Sequence, residues 1–306
     1  MNTNDLNRLS AQLRNELTGE RDHDRELLLS WAERFRGDET AGPILREIGL
    51  LLYHLDEEET VPLAQGFLDD ALARTEQALS EAQELMAAGK PEKAIEVLAP
   101  AAEYLEDFPL SEDFVWMDFH SFLDGLLFED YFSEEIDGRE VRRHPLRPAE
   151  LLRTYAEDLV RLERYEEAVP ILERLTSLDP VCAEDLCALA DVYLCAGRAE
   201  DAWDTAGWAL LCASTHEEAA RCYLLLAVCR GEAEDWESAA VLLTKSLLVQ
   251  PSEEAEAMLT EIRRVAGQEF VFSAEEVNRR CEAMEVPTGR SEAVELNLTF
   301  LKQFNP

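Results

Sequence analysis

Between residues 149 and 251 the chain repeats one pattern of residues three times, and this repetition constrains its fold more than any other feature. Ala168, Ala202 and Ala239 hold the same place in successive copies and are separated by 34 and then 37 residues. Pro180 and Pro251 follow the first and third copies, at a place where proline ends a helix. A repeat of about 20–50 residues is typical of a solenoid, in which each copy forms one supersecondary unit.

The repeated alanines have a steric explanation. Two antiparallel helices approach closely only where one of them presents a small side chain, and neighbouring leucines and tyrosines then fill the remaining space. One such pair cannot bury its apolar face alone, so neighbouring pairs must stack. The predicted contact positions are Ala156, Ala190 and Ala227 on the first helices and Ala168, Ala202 and Ala239 on the second helices.

The order of these residues resembles the tetratricopeptide repeat (TPR), a helix-turn-helix of about 34 residues whose signature runs W-x2-L-G-x2-Y, then A-x3-F, then P. The second copy carries Leu189, Tyr193, Gly197 and Ala202 in matching order, and an upstream copy fits at 75–107. The resemblance implies an all-α fold: a TPR-like right-handed α-solenoid of helical hairpins with extra N-terminal helices and C-terminal capping helices. Together with its insert and tail, the chain resembles an uncharacterised bacterial TPR family.

Apolar periodicity predicts the remaining helices and divides the chain into segments. Helices are expected at 4–17, 23–36, 41–55 and about 60–88, and at a further helix that begins at Pro91 and is interrupted by Pro100. After the repeats, one helix should end at Gly267, a capping box of Ser273 and Glu276 should start the next, and a last helix should cover about 291–304. The predicted segments are an N-terminal helical region (1–59), a degenerate TPR-like hairpin (60–107), an aromatic and acidic insert (108–148), three TPR-like repeats with a cap helix (149–267) and C-terminal capping helices (268–306).

The insert at 108–148 matches no repeat and is crowded with large apolar side chains, Trp116 among them. A patch of that size left in water would mark an interface or an aggregation hazard. The segment therefore either packs against its own solenoid, as an irregular element in place of a missing repeat, or binds a partner. The first alternative is favoured because nearby arginines can pair with its acids; they are Arg142, Arg143, Arg147 and Arg153.

The net charge of −37, from 65 acidic and 28 basic residues, limits the classes of partner. A nucleic-acid-binding protein needs a basic surface, and anionic membranes attract basic segments, so neither partner is expected. The charge suits a cationic partner, but a solvated acidic surface that keeps the protein soluble is the favoured interpretation. No apolar run reaches about 18 residues and the N-terminus has no apolar signal-peptide core, so a cytoplasmic protein is expected.

Sequence motifs for enzymatic chemistry do not occur in this chain. It has no phosphate-binding loop, nucleophile elbow, zinc-protease or dinucleotide motif, and its five histidines are scattered. The seven cysteines contain no C-x-x-C pair, and Cys222 and Cys229 share a helical face. A metal or redox cluster is one interpretation, but small buried hydrophobes in a reducing cell are favoured. We therefore predict no catalytic residue, no cofactor and no metal ion.

The candidate binding residues follow from the resemblance, because in TPRs the first helix of each pair lines the concave face. The acids among them disfavour the basic clamp with which chaperone-binding TPRs hold a C-terminal carboxylate. An acidic and apolar groove suits a protein or peptide segment with basic and apolar character, either an amphipathic helix or an extended peptide. The predicted protein-binding residues are Arg153, Glu157, Val160, Cys187, Asp191, Leu194, Arg221, Leu224 and Val228.

These observations favour a non-enzymatic protein-interaction scaffold or adaptor that binds a peptide or helix segment in a concave groove. The alternative is a peptide-sensing regulatory protein in which binding changes the curvature of the solenoid. The N-terminal region lacks a basic recognition helix, which disfavours that alternative in its DNA-binding form. An enzyme with an unrecognised carboxylate site is a third hypothesis, and a homo-oligomer is compatible with each of them.

Overall fold

The computed structural model describes residues 3–35, 41–55, 61–106, 114–134, 136, 138–144 and 146–288. These residues form fourteen helices and two short strands, which confirms the all-α fold class. In chain order the elements are α1 Thr3–Glu16, α2 Arg21–Arg34, α3 Gly42–Leu55, α4 Val61–Ala87, α5 Pro91–Glu106, β1 Phe114–Met117, α6 Phe122–Phe132, β2 Glu140–Arg143, α7 Pro148–Arg161, α8 Tyr165–Leu178, α9 Ala183–Cys195, α10 Ala199–Cys212, α11 His216–Glu232, α12 Trp236–Val249, α13 Glu253–Ala266 and α14 Ala274–Ala283.

One turn geometry joins the two helices of each hairpin. Gly89, Glu163, Gly197 and Glu234 have left-handed φ angles of 68°, 57°, 73° and 58°. In every case the amide N–H of the following residue donates to the carbonyl five residues earlier, as Arg198 does to Tyr193 at 2.8 Å. This pairing satisfies carbonyls that a helix end leaves without partners. The turns are 74, 34 and 37 residues apart, which is the spacing of the repeated alanines.

The chain divides into two compact units. Unit 1 comprises residues 1–116 and 142–151, and unit 2 comprises 117–141 and 152–306. In unit 1, α3 packs against α1, α2 and α4, and α4 packs against α5. Leu28, Ile48 and Leu52 are fully buried in the core that α1, α2 and α3 share.

The N-terminal helices lie where the sequence places them, except that Pro100 does not interrupt α5. The helix continues from Pro91 to Glu106 with this proline inside it. A proline in a helix removes one N–H donor and leaves the carbonyl four residues earlier without its partner. Pro100 and Glu96 are both exposed, so that carbonyl lies on the solvent side, where water can hydrate it.

Unit 2 contains the strong repeats. Successive helices from α8 to α13 pack in sequence order, and α14 packs against α12. All six predicted contact alanines are buried, with at most 1% of their surface exposed. Helix α13 ends at Gly267, whose φ of 65° is left-handed, as predicted. Ser273 caps α14 by accepting a hydrogen bond from the Glu276 N–H, and the helix expected at 291–304 lies outside the described residues.

The insert is more regular than the sequence suggests. It contains the strands β1 and β2, which pair in a two-stranded sheet, and the helix α6 between them. The Tyr131 hydroxyl on α6 donates to the Leu211 carbonyl on α10 at 3.3 Å, and its ring meets Trp208 edge-on at 5.0 Å. Trp116 is only 6% exposed within the single chain, as intramolecular docking of the segment requires. Among the described aromatic side chains of the insert, Phe122 is exposed, at 73%.

Candidate functional site

A groove with a volume of about 300 Å³ lies in unit 2, between side chains of α7, α8 and α9. Its apolar floor combines small and branched side chains, which leaves room for a side chain from a partner. Four carboxylates and two guanidinium groups surround the floor. The lining residues are Arg153, Ala156, Glu157, Val160, Arg161, Leu172, Glu184, Asp185, Ala188, Asp191 and Val192.

Arg153 joins α7 to the first turn of α9 through a two-pronged ion pair. Its Nε lies 2.8 Å from Oδ1 of Asp185 and its second guanidinium nitrogen lies 2.7 Å from Oδ2. The Asp185 side chain is 3% exposed and that of Arg153 is 27% exposed. Hydrogen bonding to Asp185 raises the pKa of Arg153, and burial opposes this. The sequence predicts an ion pair between Arg153 and acids of the insert, but the partner of Arg153 in the structure is Asp185.

Arg161 lies at the opposite end of the groove wall. Its guanidinium donates to Oδ1 of Asp158 at 3.0 Å and lies 3.6 Å from Oε2 of Glu157. The second carboxylate oxygen of Asp158 is buried without a hydrogen-bond partner. Burial raises the pKa of Asp158, with Arg161 opposing it. The exposed Glu157 is therefore a carboxylate of the groove that a ligand can reach.

Asp191 and Arg221, both predicted from sequence as groove residues, form an ion pair with each other. The Arg221 guanidinium donates to Oδ2 of Asp191, and both side chains are about half exposed. Burial raises the pKa of Asp191, and the positive charge of Arg221 opposes the shift. A ligand must compete with Arg221 for this carboxylate, whereas Glu184 on the groove wall is exposed.

The structure brings together only some of the predicted binding residues. Arg153, Glu157, Val160 and Asp191 line the groove. The other five predicted residues do not line it. Of these, Cys187 and Leu224 are buried at 3% and 8% exposure, Leu194 and Val228 are half-buried, and Arg221 is exposed.

Three groove residues on α9 were missed from the sequence. Asp185, Ala188 and Val192 line the groove beside the predicted Asp191, whereas the predicted Cys187 does not line it. The available signal was the carboxylate at 185 in the first turn of a helix, which indicates a polar face there.

Most of the cysteines are core residues: six of the seven are buried, and Cys195 is exposed. Burial raises the pKa of the Cys229 thiol to about 11, so it stays protonated at neutral pH. The Sγ atoms of Cys187 and Cys222 approach to 3.5 Å between α9 and α11, a thiol–thiol contact rather than a disulfide. For these three cysteines the arrangement agrees with the interpretation as buried hydrophobes.

Searches for related proteins found similarity at the level of structure alone. No family model and no curated protein matches the chain. MamA from Desulfovibrio magneticus RS-1 shares 15% identity with a TM-score of 0.44, over 70% of this chain and 94% of that one. A double mutant of MamA gives 16% identity and a TM-score of 0.43 over 70% and 94% of the two chains. YrrB, described as a TPR protein with an unusual peptide-binding site, gives 14% identity and 0.43 over 75% and 96%.

In the part of the chain that the structure describes, no helix is both long and apolar enough to cross a bilayer.

Proposed function

We propose that the chain is a non-enzymatic protein-interaction scaffold that binds a segment with basic and apolar side chains in the α7–α9 groove. The observation that carries the proposal is the composition of this groove, an apolar floor bordered by more carboxylates than guanidinium groups. An apolar anchor of the partner would fill the floor, and a lysine or arginine beside it would meet the exposed Glu157 and Glu184.

The size of the groove sets the mode of binding. A volume of about 300 Å³ is at the lower end of ligand pockets and accommodates one or two side chains, not a whole helix. The partner therefore inserts anchor residues, while the rest of its segment lies along α7 and α9. Burying an anchor of leucine size contributes about 1.5–3 kcal/mol, and the charges contribute mainly register and association rate.

A peptide-binding assay tests this proposal directly. Fluorescent peptides with a basic-apolar pattern, and scrambled versions of them, are titrated with the full chain at low and moderate salt, and anisotropy gives the Kd. We expect micromolar binding of the patterned peptides, weakened by salt because exposed charges are screened. Equal binding of scrambled peptides would mean that the net charge alone attracts them.

Charge reversal locates the binding surface. The double variant Glu157→Lys/Glu184→Lys should weaken binding about tenfold or more and reduce its salt dependence, because it removes the two exposed carboxylates of the groove. Glu166→Lys/Glu200→Lys, on exposed positions of α8 and α10 outside the groove, changes the net charge equally and is the matched control. Retention of full affinity in the groove variant, or equal losses in both variants, would contradict binding at this site.

A further inference from the structure

Three side chains with metal-ligating atoms meet at a point in unit 2 that the groove does not use. Asp124 lies in the first turn of α6, Asp179 follows the last residue of α8, and Cys182 precedes α9. One carboxylate oxygen of each aspartate and the Cys182 Sγ lie within 4.8 Å of one another. Side chains from three different elements therefore converge on one small volume.

This cluster is buried, and no arginine or lysine of the described residues neutralises its two carboxylates. The exposed fractions of Asp124, Asp179 and Cys182 are 9%, 1% and 4%. Among the described residues, no arginine or lysine forms an ion pair with either aspartate. Two carboxylates so close together inside a protein repel each other unless a cation or a proton lies between them.

One oxygen of the cluster is poorly satisfied. Oδ2 of Asp179 accepts the His120 backbone N–H at 2.8 Å, whereas the buried Oδ1 has no hydrogen bond of normal geometry and interacts only with the Val181 backbone N–H. Asp124 differs, because its Oδ2 accepts from both the N–H and the hydroxyl of Ser121, at 2.7 and 2.8 Å. Native structures normally give a buried carboxylate oxygen a well-formed hydrogen bond or a cation as its partner.

The surroundings hold the cluster in place. The Asp118 N–H donates to the Leu178 carbonyl at 3.0 Å, and the Trp208 indole donates to the Pro180 carbonyl at 2.6 Å. Both bonds fix the link between α8 and α9 that carries Asp179 and precedes Cys182. A site on elements that packing and hydrogen bonds fix in this way is pre-organised for a ligand.

We propose that Asp124, Asp179 and Cys182 bind one divalent transition-metal ion of the zinc class. The thiolate is a soft ligand that selects zinc-like ions over Mg²⁺ or Ca²⁺, which prefer oxygen alone. In tetrahedral zinc sites the bonds of about 2.0–2.3 Å place neighbouring ligand atoms about 3.3–3.8 Å apart. Closing the present spacing to that value requires side-chain movements on the order of 1 Å.

The three side chains leave one position of a tetrahedral ion for a water molecule, since zinc in proteins has four ligands. The consequence of binding is mechanical: the ion ties α6 to the α8–α9 link.

The experiment uses the full chain, reduced and stripped of metal, with zinc and cobalt ions as the probes. Zinc affinity is measured by competition with a chromophoric chelator, and cobalt binding by its thiolate-to-metal absorption. The wild type should bind one equivalent of zinc tightly. Cys182→Ser and Asp179→Asn should weaken it by about 100-fold or more, since losing even an outer partner of a metal ligand costs about 10–100-fold. Cys281→Ser, at another buried cysteine, is the matched control and should bind as the wild type does.

Folding and metal binding are separable in these variants. Asp179→Asn keeps the shape of the side chain and removes one of two repelling charges, so its metal-free form should be as stable as the wild type in circular dichroism. Only weak binding of several equivalents, equal in all four proteins, would mean that exposed carboxylates hold the metal and would overturn the proposal. A cobalt–thiolate band that persists undiminished in Cys182→Ser would overturn it as well.

Discussion

The ion pair between Arg153 and Asp185 permits a sharp prediction, because the chain contains a second pair with which to compare it. Arg153→Met keeps most of the aliphatic stem but leaves Asp185, with 3% of its side chain exposed, without its bidentate partner. Breaking a buried pair by removing one member costs about 3–5 kcal/mol, because the remaining charge is buried and uncompensated. The perturbation should therefore destabilise unit 2 strongly.

Two features of the structure reduce the destabilisation expected for Arg153→Met. Asp185 lies in the first turn of α9, where the helix dipole stabilises a carboxylate by about 0.3–1 kcal/mol. Arg153 is 27% exposed, so part of its interaction is screened by water. We expect a net loss of about 2–4 kcal/mol. For a unit of about 150–250 residues this lowers Tm by roughly 5–15 °C.

The exposed Asp191–Arg221 pair is the control, since an ion pair of this kind contributes about 0–1 kcal/mol. Urea denaturation followed by circular dichroism gives the free energy of unfolding of Arg153→Met and Arg221→Met. The double variant Arg153→Met/Asp185→Leu should recover part of the loss, because no unpaired charge is then buried. Equal destabilisation by the two single variants, or a double variant no better than Arg153→Met, would refute the reasoning.

Three further predictions concern packing, backbone and pH. Ala202→Leu should cost about 1–3 kcal/mol in thermal unfolding by overpacking, whereas Ala257→Leu, at an exposed position of α13, should be near neutral. Glu234 has a left-handed φ of 58°, so Glu234→Gly should relieve about 1 kcal/mol of backbone strain and raise Tm. Gly197→Ala should introduce similar strain and lower Tm. Shifts of Tm in the same direction for both variants would exclude backbone strain as the cause. A hydrogen bond from the Thr18 backbone N–H is the main cause that lowers the pKa of Asp24 from 3.8. The ionised Asp24 therefore stabilises the folded state above pH 3.8, and this stabilisation is lost as the pH falls through the lower folded pKa. Acid titration should show a smaller loss of helicity in Asp24→Asn, and identical curves would contradict the assignment.

The repeat register was predictable because one steric requirement controls it. A pair of helices tolerates only a small residue where the backbones approach, so the spacing of Ala168, Ala202 and Ala239 in the sequence is the spacing of the hairpins in the structure. The turns were harder to locate. Gly197 indicates a left-handed residue, but Glu163 and Glu234 adopt the same conformation without any sequence signal.

On α9 the sequence predicts the groove residue Asp191 but not Asp185, Ala188 and Val192, and the cause is the burial of this helix on several sides. It packs against α8, α10 and α11, so Leu186, Leu189 and Val192 are all buried and the apolar periodicity has no single direction. The ion-pair partner of Arg153 could not be predicted from the sequence, for another reason. With 65 acidic residues in the chain, proximity along the sequence says little about which of them an arginine meets.

The large number of acidic residues also explains why the proposed metal cluster could not be predicted from the sequence. Asp124 and Asp179 have no spacing that marks a ligand pair, because a docked insert and a link between two helices bring them together. Only the three-dimensional structure shows that these two carboxylates and Cys182 share one buried volume.

The docking of α6 on α10 has a consequence for the protein during its synthesis. Tyr131 and its acceptor Leu211 are 80 residues apart, so the ribosome makes the aromatic helix well before the surface that covers it. At a translation rate of about 5–20 residues per second, the apolar side chains of α6 remain without this covering surface for roughly 4–16 s. Glu129, Asp130 and Glu134, interspersed among these aromatics, place charge where a transiently exposed segment would otherwise aggregate. The acidity of this segment thus protects the newly made chain until α10 has been synthesised.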